Sequence, residues 1–362
     1  MPANAVSEML IPFAACGAES WLPAMRAMPP DGMKRLGQLL RRMALVHSDS
    51  GVAESLSPPH ERALGRALGL AGQETPDGLI PWAASDAAMA LPAHGGKAWA
   101  WITPCHWAMG HLHATLSDPA ALALREGESR ELLAVMRPYF ETDGIALHYL
   151  APERWMAEGE VFRKLPTASL DRVLARNVDA WLLGAGGTER RAGPPQASSA
   201  PPEGSAVREA TSVGARALTR LQNEMQMLLY THPFNDARQA RWQMPVNSFW
   251  ISGTGDLPAT AGSGEALTPA LSQGQMEKVN VPRSLADAVF KEDWLAYSQA
   301  WQALDDGEIA RLLARQQAGK TVRLTLCGER NALTFETRPA TLRTKISRLF
   351  SPLRMLDVLE QL

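Results

Sequence analysis

Cysteine is scarce in this sequence, and long apolar runs are missing. The 362 residues include three cysteines, an odd number spread along the chain, so neither a disulfide framework nor a four-thiolate metal site is expected. No run of about 18 apolar residues occurs, and the first residues lack the basic region and apolar core of a secretory signal. We therefore expect a cytoplasmic protein without a membrane-spanning segment.

An excess of either charge is also missing. The 36 basic residues nearly balance the 38 acidic residues, which leaves no overall field to hold a nucleic acid or an anionic membrane surface. We expect neither as a partner. Apolar residues make up 46% of the chain, enough to fill the core of one large domain or of two ordinary ones.

Several common catalytic motifs are absent as well. The sequence contains no GxSxG elbow, no GxxxxGK phosphate loop, no GxGxxG after a strand and no CxxC pair. The usual hydrolase and dehydrogenase assignments lose support, and we assign neither a catalytic residue nor a cofactor. The nearest approach to a metal cluster is Cys105, His106, His111 and His113. Its spacing matches no known ligand motif, so we predict no metal site there.

The apolar pattern predicts an α+β fold with mixed sheets and packed helices. Residues 97–150 read as a β-β-α-β unit, and helices are expected over 32–46 and 169–183. Residues 321–337 have the pattern of a hairpin. The regular alternation of strands and helices keeps a doubly wound α/β sheet open as the alternative.

Composition divides the chain into two parts. Residues 1–183 form the expected N-terminal α/β part, and 215–362 form the C-terminal α/β part, with a loop insertion at about 256–280. Between them, 184–214 are rich in Gly, Pro, Ser and Ala without apolar periodicity, which is typical of a flexible linker. The two parts could still share one sheet.

Polar side chains concentrate between residues 223 and 255, beside an apolar helical stripe and in the glycine turn after the strand PVNSFWIS. Amide, imidazole and guanidinium groups suit an anionic small molecule, and backbone amides of a glycine turn can hold a phosphate or carboxylate. The candidate ligand-binding residues are Asn223, Gln226, His232, Asn235, Arg238, Asn247, Ser252, Gly253 and Gly255. A structural role is equally open, because Asn and Gln often satisfy buried backbone groups.

The runs LQNEMQMLLYTHPFNDAR and PVNSFWISGTG, with PCHW, APERW and LTLCGER, resemble a proteobacterial family of RpfE-type regulatory proteins. Members are often also called cofactor-independent phosphoglycerate mutases. That second name implies an alkaline-phosphatase-like fold, two divalent cations, a phosphorylated serine and a set of Asp and His ligands that includes an Asp-His pair. No Asp-His dipeptide occurs in this sequence.

Three functions therefore stay open. The leading hypothesis is a cytoplasmic regulatory or ligand-binding protein that holds a small anionic metabolite near residues 223–255. The alternative is a phosphoglycerate mutase or a related phosphotransfer enzyme, with His232 or His106 as acid or base. The third is a protein whose partner is another protein, which a large exposed apolar patch would indicate.

Overall fold

This computed structural model describes residues 7–29, 31–91, 96–110, 114–183, 205–257, 279–337 and 354–362. The strands are β1 Ser7–Ile11, β2 Met43–Ser50, β3 Ala98–Cys105, β4 Trp107–Met109, β5 Ala114–Leu116, β6 Ala146–Ala151, β7 Arg154–Glu158, β8 Ser248–Asp256, β9 Val279–Asn280, β10 Val322–Cys327 and β11 Asn331–Thr337. The α-helices are α1 Trp21–Ala27, α2 Lys34–Leu40, α3 Pro59–Ala67, α4 Trp82–Ala90, α5 Glu126–Thr142, α6 Leu170–Val173, α7 Ser205–Tyr230, α8 Pro233–Gln239, α9 Ser284–Phe290, α10 Trp294–Leu304, α11 Ala310–Gln317 and α12 Met355–Leu359.

The chain folds into two compact units that are discontinuous in sequence. The first comprises the described residues within Met1–Ala53, Pro58–Gly69 and Pro269–Leu362, and the second those within Glu54–Ser57 and Leu70–Thr268. This grouping differs from the linear division at 184–214 that composition predicts. The reason is strand pairing, since β1 near the start of the sequence lies beside β10 near its end.

The first unit contains a five-stranded sheet in the order β2-β11-β10-β1-β9. Strands β9, β1 and β10 are parallel, and β11 and β2 follow in alternating directions. Because parallel strands are covered on both faces, they read as nearly continuous apolar runs, as Met9–Ile11 does. Helices α1, α2, α10 and α11 contribute buried side chains to the same core, including Trp301 and Tyr297.

The second unit contains a four-stranded antiparallel sheet in the order β6-β7-β3-β8. Successive side chains of a strand point to opposite faces, and β3 shows this clearly. Ala100 and Ile102 face the core formed with α5 and α7, whereas Trp99 faces α4. Among the described helices, none combines the length and the apolar content that crossing a membrane requires.

The predicted mixed α/β architecture, with mixed sheets and packed helices, is confirmed. The hairpin is also confirmed, since β10 and β11 pair through a turn that begins at Gly328. Most of each predicted insertion lies outside the described residues, namely 184–204 of the first and 258–278 of the second. Residues 205–214 do not belong to a linker, because α7 already begins at Ser205. Its 26 residues include four Ala, four Leu and three Arg, which favour a helix.

Two predicted helices are shorter in the structure. The helix expected over 32–46 ends at Leu40, and β2 begins at Met43 because its backbone pairs along its whole length with β11. The helix expected over 169–183 ends at Val173. Ala175 adopts a left-handed backbone conformation with φ of 57°, which cannot continue an α-helix.

Candidate functional site

The nine predicted ligand-binding residues lie in the second unit, on or directly before α7, α8 and β8. Asn223 is exposed on α7, and Gln226 is half-buried one turn later. His232 is the N-cap of α8, where its Nδ1 accepts a hydrogen bond from the Phe234 amide at 3.2 Å. This contact caps the start of α8.

Asn235 joins two backbone segments. Its Nδ2 donates to the carbonyls of Leu229 and Val246 at 2.8 and 2.7 Å, and its Oδ1 accepts from the Val246 amide at 2.9 Å. The side chain is 4% exposed. These bonds use both amide hydrogens and satisfy backbone groups between α7 and β8, so Asn235 has a complete structural role.

Arg238 is fully buried. Its Nε donates to the Met244 carbonyl at 2.9 Å, its Nη2 donates to the Leu122 carbonyl, and Nη1 lies 3.5 Å from a carboxylate oxygen of Glu128. Burial lowers the pKa of Arg238 from its ordinary value. The guanidinium therefore ties three segments of the second unit together.

The remaining predicted residues also have local structural partners. Asn247 accepts from the Trp107 amide at 2.7 Å and donates to the Trp107 carbonyl at 3.0 Å. Gly253 has φ of 64°, and a Cβ there would lie 2.9 Å from Cε3 of the Trp101 indole. Gly255 has φ of 138°, and a Cβ at this position would closely approach the ring of Pro81.

Packing and backbone conformation thus account for both glycines, while Ser252 is buried in β8. Asn235, Arg238 and Asn247 direct donors to the protein's own backbone. Anion binding by this block stays a prediction.

The possible metal cluster is only partly described. His111 and His113 lie outside the described residues. The Nδ1 atom of His106 lies 2.9 Å from the Pro245 carbonyl oxygen. Cys105 is fully buried, and that burial raises the pKa of its thiol, which disfavours the thiolate that a metal would need.

We predict that Arg238→Ala lowers the free energy of unfolding by about 3 kcal/mol, because it leaves buried carbonyls without a donor. Urea denaturation measures this change. The matched control is Arg241→Ala, which removes an arginine that also pairs with Glu128 but is 52% exposed. We expect a loss below about 1 kcal/mol for that variant. Equal stability of the two variants would contradict the structural role of Arg238.

A second polar cluster lies at one edge of the sheet in the first unit. Strands β1, β10 and β2 run in the same direction, because β10 and β2 are both antiparallel to β11. Their carboxyl ends, at Ile11, Cys327 and Ser50, therefore meet at the same edge. In open sheets with parallel strands, ligands commonly bind outside these carboxyl ends.

The loop after β1 turns sharply at this edge. Phe13 has φ of 52°, a left-handed conformation that is rare for a bulky residue, and its ring is buried 5.5 Å from the ring of His60. The Ala14 amide then donates to the Cys327 carbonyl at 2.7 Å. The Gly17 amide donates to a carboxylate oxygen of Glu329 at 3.1 Å. The loops after β1 and β10 are thereby held side by side.

Two arginines from α3 meet one carboxylate at the end of β2. Arg62 and Arg66 are four residues apart, so they lie on one face of the helix. Nε of Arg62 lies 3.2 Å and Nη2 of Arg66 lies 2.7 Å from the same oxygen of Asp49. The side chain of Arg62 is 17% exposed, that of Arg66 is 30% exposed and that of Asp49 is 13% exposed. We call Asp49, Arg62 and Arg66 the two-arginine cluster.

The guanidinium of Arg62 lies close to the backbone at Gly51 and Arg330. Nη2 of Arg62 donates to the Arg330 carbonyl at 3.2 Å, and the Gly51 amide donates to the same oxygen at 2.9 Å. A Cβ at Gly51 would lie 2.8 Å from Nη2 of Arg62. Glycine at this position therefore allows the guanidinium to lie against the backbone.

Electrostatics at this edge favours ionised Asp49. Burial works to raise the pKa of Asp49, but the hydrogen bonds from Arg62 and Arg66 hold that pKa below its ordinary value. Cys327, which is fully buried nearby, has its pKa raised by burial and further by the charge of Asp49. Its thiol therefore stays protonated at neutral pH and is a poor nucleophile.

Sequence reasoning missed this cluster. The pattern over 57–70, with two prolines at its entry and Leu64 and Leu68 four residues apart, predicts a helix, and the spacing of Arg62 and Arg66 is a visible signal within it. The sequence gives no reason to select Asp49, because its segment follows the helix predicted over 32–46 and no strand is predicted there. Its encounter with the arginines depends on the pairing of β2 with β11, which is a long-range interaction.

Comparison with known proteins gives distant likenesses only. No family model matches the sequence, and no curated protein matches it. A cofactor-independent phosphoglycerate mutase from Thermoplasma acidophilum DSM 1728 has 12% identity and a TM-score of 0.36, covering 98% of this chain and 99% of its own. The PH0037 protein from Pyrococcus horikoshii has 11% identity and a TM-score of 0.38, covering 92% and 88%. Likenesses at these TM-scores carry no argument about function, and membership of the RpfE-type family stays a prediction.

We predict that Asp49→Asn destabilises the protein by about 1–3 kcal/mol at neutral pH, because two guanidinium groups lose their carboxylate partner. The folded pKa of Asp49 lies below its ordinary value of 3.8, so its contribution is complete well above that pH and is lost as the pH falls through the folded pKa. Urea denaturation of both proteins should therefore show a gap that narrows below about pH 4.

The control for this experiment is Asp287→Asn. Asp287 is exposed in the first turn of α9, in the same unit. We expect no comparable gap between that variant and the wild type. A gap for Asp49→Asn that does not change with pH would contradict the electrostatic origin of the effect.

Proposed function

We propose that the protein binds a small anion, carrying a phosphate or carboxylate group, at the two-arginine cluster. The observation that supports this proposal is the sharing of one Asp49 oxygen by two guanidinium groups at the carboxyl edge of the sheet. The ligand is still the anion expected from the sequence, but the residues proposed to bind it are different.

Arg66 is the principal ligand-binding residue in this proposal. It uses Nη2 for Asp49, and within the described part of the chain its Nε and Nη1 have no protein partner. A planar guanidinium with free donors can hold a carboxylate or phosphate through two parallel hydrogen bonds. Its 30% exposure leaves those donors within reach of solvent.

Asp49 has two effects on such a ligand. It orients Arg66 through the 2.7 Å contact, which reduces the entropy lost on binding. It also competes for the same guanidinium, because an incoming anion and Asp49 repel each other. We therefore infer moderate affinity that depends on salt concentration.

The proposed role is ligand binding in a cytoplasmic regulatory protein. Phosphotransfer on a phosphoglycerate is the alternative proposal from the sequence. Turnover of 3-phosphoglycerate by purified protein, lost in the Arg66→Ala variant, would favour that alternative over binding alone.

We predict that isothermal titration calorimetry with inorganic phosphate, 3-phosphoglycerate and citrate detects saturable binding of at least one of them to the wild type. Arg66→Ala should weaken that binding by about tenfold or more, because charge-assisted hydrogen bonds are lost. Asp49→Asn should strengthen it, because the competing carboxylate is removed. An increase in affinity is a result that partial unfolding does not produce.

Two controls make this test specific. Arg311→Ala removes an arginine that is 74% exposed on α11 of the same unit, and binding should not change. Asn223→Ala tests the block predicted from the sequence, at an exposed position. Loss of binding in Asn223→Ala with full binding in Arg66→Ala would move the site to that block. No saturable binding of any of the three anions would overturn the proposal.

A further inference from the structure

The turn between β10 and β11 lies at the same edge of the sheet as the two-arginine cluster. It spans residues 328–331. The carbonyl of Arg330, inside this turn, accepts a hydrogen bond from Nη2 of Arg62 at 3.2 Å and another from the Gly51 amide at 2.9 Å. The position of the turn therefore helps to fix where the guanidinium of Arg62 lies beside Asp49.

Residues 354–362, which contain α12, hold this turn through Asn331; we call them the α12 segment. In a β-turn the amide of the fourth residue often donates back to the carbonyl of the first residue. Here the fourth residue is Asn331, and its amide donates instead to the Leu362 carbonyl at 3.1 Å. Its Nδ2 donates to the Gln361 carbonyl at 2.9 Å. Asn331 thus directs both a backbone donor and a side-chain donor to the α12 segment.

Glycine at the first position of the turn allows this close approach. A Cβ at Gly328 would lie 2.5 Å from the carbonyl oxygen of Leu362, which is closer than atoms in folded proteins approach without moving. A larger residue at position 328 would therefore displace the end of the α12 segment.

The core of the first unit holds the α12 segment in place. Val358 and Leu359 belong to that core, and Met355 and Leu356 pack against it. The position of the segment is therefore set by buried apolar contacts, and Asn331 carries that position to the turn.

The position of Arg62 matters for the charge that an anion meets. When Arg62 and Arg66 share the Asp49 carboxylate, its negative charge is balanced twice over. If Arg62 moved away, Asp49 would pair with Arg66 alone, would hold that guanidinium more strongly and would repel an incoming anion more strongly. An anchored Arg62 therefore favours anion binding at Arg66.

We propose that the α12 segment, acting through Asn331, positions Arg62 and thereby raises the affinity of the two-arginine cluster for its anion. Asn331 is a positioning residue, since it acts on Arg62 through the Arg330 carbonyl. The inference rests on the proposed function, because it concerns the same anion site.

The first measurement needs no anion. It is the hydrogen-exchange rate of the Nε proton of Arg62, followed by NMR in the full chain and assigned by its absence from Arg62→Lys. This proton is hydrogen-bonded to Asp49, so Asn331→Ala should make it exchange faster. Gly328→Ala displaces the same segment through a different atom and should have the same effect.

The Nε proton of Arg323 is the internal reference for this measurement, since it is bonded to Glu336 elsewhere in the same sheet. Its exchange rate should not change in either variant. Faster exchange of both arginines would indicate a general loss of stability and would overturn the positioning role of Asn331.

The second measurement is isothermal titration calorimetry with inorganic phosphate, 3-phosphoglycerate and citrate. Asn331→Ala should weaken the binding of whichever anion the wild type binds by about threefold, because Asp49 is less well neutralised. The matched control is Asn280→Ala, which removes an exposed asparagine from β9 of the same unit and should bind like the wild type.

The outcomes separate this inference from the proposed function. If the wild type binds an anion and Asn331→Ala binds it equally well, or if Arg62 exchanges at the wild-type rate in both turn variants, only the positioning role is overturned. If the wild type binds none of the three anions, the proposed function is overturned and this inference with it.

Discussion

The parallel pairing of β1 with β10 is the interaction on which the first unit depends. It joins residues from the two ends of the sequence in register from Ser7 and Val322 to Ile11 and Leu326. Strand β9 pairs with Glu8 and Met9 on the other side of β1, and Met9 and Ile11 belong to the core. The pairing also brings the loops after both strands to one edge, which gives the two-arginine cluster its surroundings.

The carboxylate of Asp49, which Arg62 and Arg66 share, determines the balance of charge at that edge of the sheet. Asp49 alone would be costly to bury, and two adjacent guanidinium groups alone would repel each other. Together they form a stable arrangement with more positive than negative charge. The lowered pKa of Asp49 follows from the same contacts, so the expected pH dependence of stability and the proposed affinity for an anion have one origin.

Local patterns in the sequence predict the elements that depend on local interactions. The helical spacing of Trp294, Tyr297, Trp301 and Leu304 predicts an apolar stripe, and in α10 the last three are buried in the core with Trp294 partly buried against it. The β10–β11 hairpin follows from alternation around a turn. Strand β2 could not be predicted in the same way. Its apolar residues also fit a helical spacing, and only the distant partner β11 decides between the two. The two-arginine cluster was missed for the same reason, since it needs that pairing.

Arg238 and Arg66 show why residue type and position alone do not identify a binding site. Both are arginines near the end of a short helix, and both are within reach of a carboxylate. Arg238 is fully buried and directs its donors to the carbonyls of Met244 and Leu122, so an anion would have to displace those contacts to bind it. Arg66 contributes one donor to Asp49 and keeps others for solvent. The assignment of donors to backbone or to solvent is a property of tertiary structure, and it is the reason for proposing Arg66 rather than Arg238 as the ligand-binding arginine.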